Sequence, residues 1–201
     1  AVDSQFNVYT GDDSSYVTKL DSNGKQIWQW KAPNIVRSVA VDSQFNVYTG
    51  DDSSYVTKLD SNGKQIWQWK APNIVRSVAV DSQFNVYTGD DSSYVTKLDS
   101  NGKQVWQWKA PNIIRSVAVD SQFNVYTGDD SGSVTKLDSS GKQVWQWNTT
   151  NKAHAVAVDS QFNVYVGDWS NHVTKLDSNG NKVWQWTAPN TVWSVAVDSQ
   201  F

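Results

Sequence analysis

Residues 40–78 read AVDSQFNVYTGDDSSYVTKLDSNGKQIWQWKAPNIVRSV. The same 39-residue unit begins at Ala1, Ala40, Ala79, Ala118 and Ala157, and its first six residues return at 196–201. Four strand signals alternate with four turn signals inside it. Val36 to Asp42 reads as a first strand, ended by the turn Asp42-Ser43-Gln44. Phe45 to Thr49 alternates as a second, broken by Gly50-Asp51-Asp52-Ser53-Ser54. Tyr55 to Leu59 is a third, closed by Asp60-Ser61-Asn62-Gly63, a tight-turn signature between β-prone runs. Lys64 to Trp69 is the fourth, and Pro72 just beyond it cannot donate to a ladder, which ends the strand. Four short strands in about 40 residues, repeated in tandem, read as the blade of a β-propeller.

Composition agrees. All 20 acidic residues of the 201-residue chain are Asp, which favours turns, and Glu is absent. Aromatic residues make up 13% and Val is abundant, which favours strands over helices. The fold class expected is all-β: a five-bladed β-propeller with four antiparallel strands per blade, one domain over 1–201. The run Val192 to Asp198 repeats the first strand with no second strand after it, and only Ala1-Val2-Asp3 remain of that strand at the N-terminus. Pairing of the two would complete the N-terminal blade and leave no open sheet edge. A solenoid or an array assembling between chains is the alternative, because near-identical units specify pairing register weakly. The absence of Met, even at position 1, suggests a processed, excised or engineered chain.

Trp28 and Trp30 recur as 67/69, 106/108, 145/147 and 184/186. Spaced two apart on a strand, each pair shares one face. Each ring can hide ~150–250 Å², about 4–6 kcal/mol of gross transfer energy at ~25 cal/mol/Å². Glue between neighbouring blades is therefore their expected role. Leu20-Asp21-Ser22-Asn23-Gly24-Lys25-Gln26-Ile27-Trp28 resembles the tryptophan-docking motif of quinoprotein-type (PQQ-like) propeller repeats. In those repeats the Trp of one blade docks on the motif of the next. The segment Ala40 to Tyr48 is similar to the core of NHL-type repeats. The resemblance implies a propeller whose relatives include quinone-binding dehydrogenases, assembly scaffolds, and RNA- or protein-binding propellers. The quinone enzymes commonly place adjacent cysteines at the cofactor; this chain has none, so no cofactor is expected.

The units differ mostly in two connections, the one between second and third strands and the one leading into the next first strand. In an up-and-down blade both emerge on the same rim. There Arg37, Arg76 and Arg115 should surround the channel mouth, with His154 and Trp193 in the corresponding places of the last two units. Trp169, His172, Tyr16, Tyr55 and Tyr94 complete the candidate ligand-binding set. Aspartate pairs such as Asp51-Asp52 stand on the same rim, where they would cap turns or make weak surface pairs with arginine.

A net charge of −3 argues against nucleic acid, and no apolar run approaches the ~18 residues of a membrane helix. The two histidines, His154 and His172, lie in no zinc, nucleophile or phosphate-loop motif, so neither catalysis nor a metal is expected. The function expected is a non-catalytic interaction scaffold for a protein or glycan. The alternatives are a multivalent lectin and an engineered propeller without a native ligand. A monomer is expected, with strand-swapped oligomers as the alternative, in an extracellular or periplasmic setting if either is favoured. Asn148-Thr149-Thr150 is a formal glycosylation sequon.

Overall fold

The structure is a computed structural model and describes residues 1–198; the end of the duplicated stretch, 199–201, lies outside the described residues. The first sheet holds β1 (Val8–Gly11), β2 (Tyr16–Leu20) and β3 (Gln26–Lys31). The second holds β4 (Val36–Val41), β5 (Val47–Asp51), β6 (Tyr55–Leu59) and β7 (Gln65–Lys70). The third comprises β8 (Val75–Val80), β9 (Val86–Asp90), β10 (Tyr94–Leu98) and β11 (Gln104–Lys109). The fourth runs through β12 (Ile114–Val119), β13 (Val125–Asp129), β14 (Ser133–Leu137) and β15 (Gln143–Asn148). The fifth is β16 (Ala153–Val158), β17 (Val164–Asp168), β18 (His172–Leu176) and β19 (Lys182–Thr187). Each sheet is an antiparallel meander in chain order, and the described residues contain no helix. The all-β reading and the strand alternation hold.

Several boundaries shift by one or two residues: the first strand ends at Val41, the second runs to Asp51, and the fourth covers Gln65–Lys70. Phe45 does not open the second strand, which starts at Val47. The cause is Asp42. Its Oδ1 accepts the backbone N–H groups of Gln44 and Asn46, each at 2.9 Å, while Oδ2 accepts Asn46 Nδ2 and the Tyr48 hydroxyl, also at 2.9 Å. This loop of bonds tightens the turn until Phe45 adopts φ +65°, a left-handed conformation that bulky residues rarely take. The same knot recurs on Asp3, Asp81, Asp120 and Asp159. Burial, together with the nearby Asp42 carboxylate, pushes the Tyr48 phenol well above its usual range. Its proton therefore stays in the bond.

The sheets are joined by their tryptophans. Trp28 Nε1 donates to the Ser61 carbonyl at 3.0 Å, and the bond is repeated by Trp67 on Ser100, Trp106 on Ser139 and Trp145 on Ser178. The ring lies flat over the following turn: a Cβ added to Gly63 would sit 2.9 Å from Trp28 Cδ2. Gly63 is at φ +83°, so it serves the turn and the ring at once. The apolar clusters accordingly straddle sheets. Tyr48, Val56 and Ala71 of one sheet pack with Val75, Val78, Val86 and Leu98 of the next, with Trp67 and Trp69 against them.

Four such clusters join five sheets, so two faces stay uncovered among the described residues. Nothing lies within 4 Å of a Cβ built on Gly24, and Trp184 and Trp186 are 42% and 56% exposed. Among the described residues the duplicated end is not paired with the first sheet. Residues 192–198 form no strand, and the first sheet keeps three strands plus an isolated bridge between Val2 and Val8. Ala1 and Tyr9 exchange backbone bonds of 2.9 Å, the pairing that Ala40 and Tyr48 make in the second sheet. Val192 meets the fifth sheet as Val36 meets the first: its N–H lies on the Asp168 carbonyl at 3.1 Å, as that of Val36 lies on Asp12 at 3.1 Å, and its side chain packs against Gly167 as Val36 packs against Gly11.

The two turn glycines separate the cost of the left-handed turn from the cost of displacing an indole. Gly24→Ala should cost only the conformational penalty, about 1–2 kcal/mol. Gly63→Ala should lose a further ~1–3 kcal/mol by overpacking against Trp28. Urea unfolding of both variants checks the difference; equal losses would contradict the packing role given to Gly63.

Candidate functional site

The first strands of successive sheets carry the rim residues to one place. Arg37, Arg76, Arg115, His154 and Trp193 line a single depression of about 280 Å³. Each arginine leaves its first strand and grips the turn between second and third strands of its own sheet. Arg37 donates through Nε and Nη2 to the two carboxylate oxygens of Asp52 at 2.7 and 2.6 Å. Arg76 holds Asp91 and Arg115 holds Asp130 with the same geometry. These are not the loose surface pairs expected from sequence. The Asp130 side chain is 9% exposed and Arg115 21%, and a two-pronged bond in a partly dry setting is stronger than a solvated pair. The Arg37 bond holds Asp52 below the usual carboxylate range and raises Arg37 in turn.

Within the aspartate pairs of the second, third and fourth sheets the roles divide. Asp51 is buried and its Oδ1 accepts the Tyr55 N–H at 2.9 Å, while its neighbour Asp52 takes the arginine. Asp51 Oδ2 and Asp90 Oδ2 are buried without a hydrogen-bond partner, and burial raises both groups. In the fifth sheet His172 Nδ1 lies 3.3 Å from Asp168 Oδ2 and supplies what those oxygens lack. His172 thus supports a turn. Tyr16, Tyr55 and Tyr94 also stand outside the depression, each under the Nζ of Lys31, Lys70 or Lys109 at 4.2 Å from the ring centroid.

The fifth sheet breaks the pattern as a pair. Where the others place arginine against aspartate, it places His154 against Trp169, the rings stacked at 6.0 Å and 11°. Trp193 meets His154 edge-on at 4.8 Å and Trp169 at 5.9 Å. Lys152 Nζ stands 4.5 Å over the Trp169 ring and 3.2 Å from Asp130. Burial, with Arg115 nearby, lowers the His154 pKa, so its imidazole is neutral at pH 7. The rim thus runs from three bridged ion pairs to an aromatic platform on which Trp193 is 63% exposed. Sequence comparison between units singled out every member of this platform except Lys152, although the signal was there: it stands where three other units have Ile35, Ile74 and Ile113.

Repeated antiparallel meanders, with Trp28, Trp67, Trp106 and Trp145 each seated on the next unit's Ser-x-Gly turn, define a PQQ-like β-propeller repeat protein. The PQQ_2 family model, described as outer membrane protein assembly factor BamB, matches the chain over residues 13–113 and again over 91–200. The chain belongs to that family. No curated protein matches it. Among the described residues no three acidic or histidine side chains gather as metal ligands.

A lowered histidine pKa has a defined stability signature. The unfolded chain takes up the His154 proton near pH 6.5 and the folded chain only at lower pH, so this residue's contribution falls as pH drops below about 6.5. Urea unfolding at pH 7.5 and 5.5 should show a smaller loss for His154→Phe than for the parent chain. An identical loss in both would show that His154 is not held neutral by its neighbours.

Proposed function

We propose that the chain is a non-catalytic propeller scaffold that holds an extended segment of a protein partner on the His154–Trp169–Trp193 end of the rim. The observation that carries this reading is the paired replacement. Arg and Asp change together to His and Trp, and the result is an exposed indole beside a depression bordered by arginines. Exposed aromatic anchors flanked by arginine are the side chains that dominate protein interfaces. The family description, an assembly factor, supports a partner-binding role. Binding rather than catalysis is supported by the way the rim carboxylates are used, as turn caps and arginine partners, and by the places of the two histidines. One is stacked on Trp169 and met edge-on by Trp193, and the other holds a turn.

The test uses fluorescently labelled ten-residue peptides, aromatic-rich against charge-matched controls, read by anisotropy. Aromatic-rich peptides should bind and lose about tenfold in affinity with Trp193→Ala, the ~1–2 kcal/mol expected for an anchor. Trp193 is exposed, so circular dichroism should show the fold retained. Absence of peptide binding, or binding indifferent to both Trp169→Ala and Trp193→Ala, overturns the reading. Sugar-dependent thermal stabilisation abolished by Trp193→Ala would overturn it in favour of a lectin.

A further inference from the structure

We infer that the two uncovered faces are the halves of one interface and that a second copy of this chain fills it, head to tail. The fifth sheet presents the donor half: Trp184 and Trp186, beside a depression of about 370 Å³ lined by Tyr165, Lys175, Trp184 and residues 196–198. The first sheet presents the acceptor half. Its Ser22 and Gly24 are the counterparts of Ser61 and Gly63, which receive Trp28, and Gly24 is at φ +80° with open space above it. Leu20 and Val8 are partly exposed there, although their counterparts Leu59 and Val47 are fully buried, and Phe6 is 73% exposed. The chain already makes this interface four times, with the same indole bond each time.

The first sheet also lacks most of its first strand, and the missing part is carried at the other end. A slot of about 170 Å³ lies between Ala1, Tyr9 and Gly11 on one side and Val36 to Val39 on the other. Val192, Ser194 and Val195 match Val36, Ser38 and Val39 residue for residue. In the register of β4 on β5, Val192 would face Asp12 of the second copy, Ser194 its Gly11 and Val195 its Thr10. Val195 would then run into the second copy's Ala1 as Val39 runs into Ala40. Trp193 would take, in the second copy's first sheet, the place Arg37 has in the second sheet. The rim platform would thus border the partner copy. A second copy is favoured over the chain's own head because, among the described residues, Trp184 makes no bond to Ser22 and Gly24 meets nothing. A head-to-tail contact of this kind builds a ring or a filament according to whether its rotation closes.

Analytical ultracentrifugation of the full chain tests this. The parent chain should form dimers and larger species as concentration rises. Trp184→Ala combined with Trp186→Ala should be monomeric. So should Gly24→Asn, because Asn tolerates a left-handed φ while its Cβ occupies the space an indole needs. An equimolar mixture of the two variants keeps one intact head and one intact tail, so it should yield dimers and nothing larger. A parent chain that stays monomeric from about 10 to 500 µM overturns the inference, whether its ends are closed on each other or idle. Assembly that survives either variant overturns it too.

Discussion

The fold depends on an indole seated on the backbone of the next repeat. The Trp ring needs a flat apolar floor and an acceptor for its N–H. The Asp-Ser-Asn-Gly turn supplies both, because a glycine at positive φ exposes bare backbone and frees the Ser carbonyl two residues earlier. No single sheet can satisfy its own tryptophans. Each therefore requires a neighbour, and stability is passed along the chain as a series of like interfaces, as in other repeat proteins. The uncovered ends follow directly from this dependence.

The aspartate-centred knot is the second constraint, acting inside each sheet. One carboxylate ties two backbone N–H groups, an Asn amide and a buried Tyr hydroxyl, and so sets where the second strand begins. The buried Tyr ring that it orients is the one tilted against the Trp, 6.1 Å away in the second sheet. Turn chemistry and inter-sheet packing thus share a residue. This explains why Asp, Asn and Tyr are kept in all five units while the residues of the rim loops change.

On the rim, the ion pairs and the aromatic platform solve the same structural problem by different means. In three sheets a two-pronged Arg–Asp bond ties the first strand to the turn between second and third strands; in the fifth a stacked His–Trp pair spans the same gap. The exchange replaces charge with exposed apolar surface at one sector of an otherwise repetitive face. That single asymmetric sector is the one to which we assign the proposed partner segment.

The repeat period, the four strands per unit, the tight turns and the rim grouping of Arg37, Arg76, Arg115, His154 and Trp193 were legible in the sequence. Each rests on local patterning: alternation, turn residues and a fixed spacing that carries equivalent side chains to equivalent places. Phe45 was misjudged because the Asp42 carboxylate, three residues back, ties the turn on to Asn46 and Tyr48 and overrides its strand preference. The ends were decided only by tertiary structure. The duplicated stretch is compatible with pairing to β1, yet compatibility says nothing of whether the last sheet and the first meet. That depends on how far each interface turns its neighbour, which is not written in any one repeat.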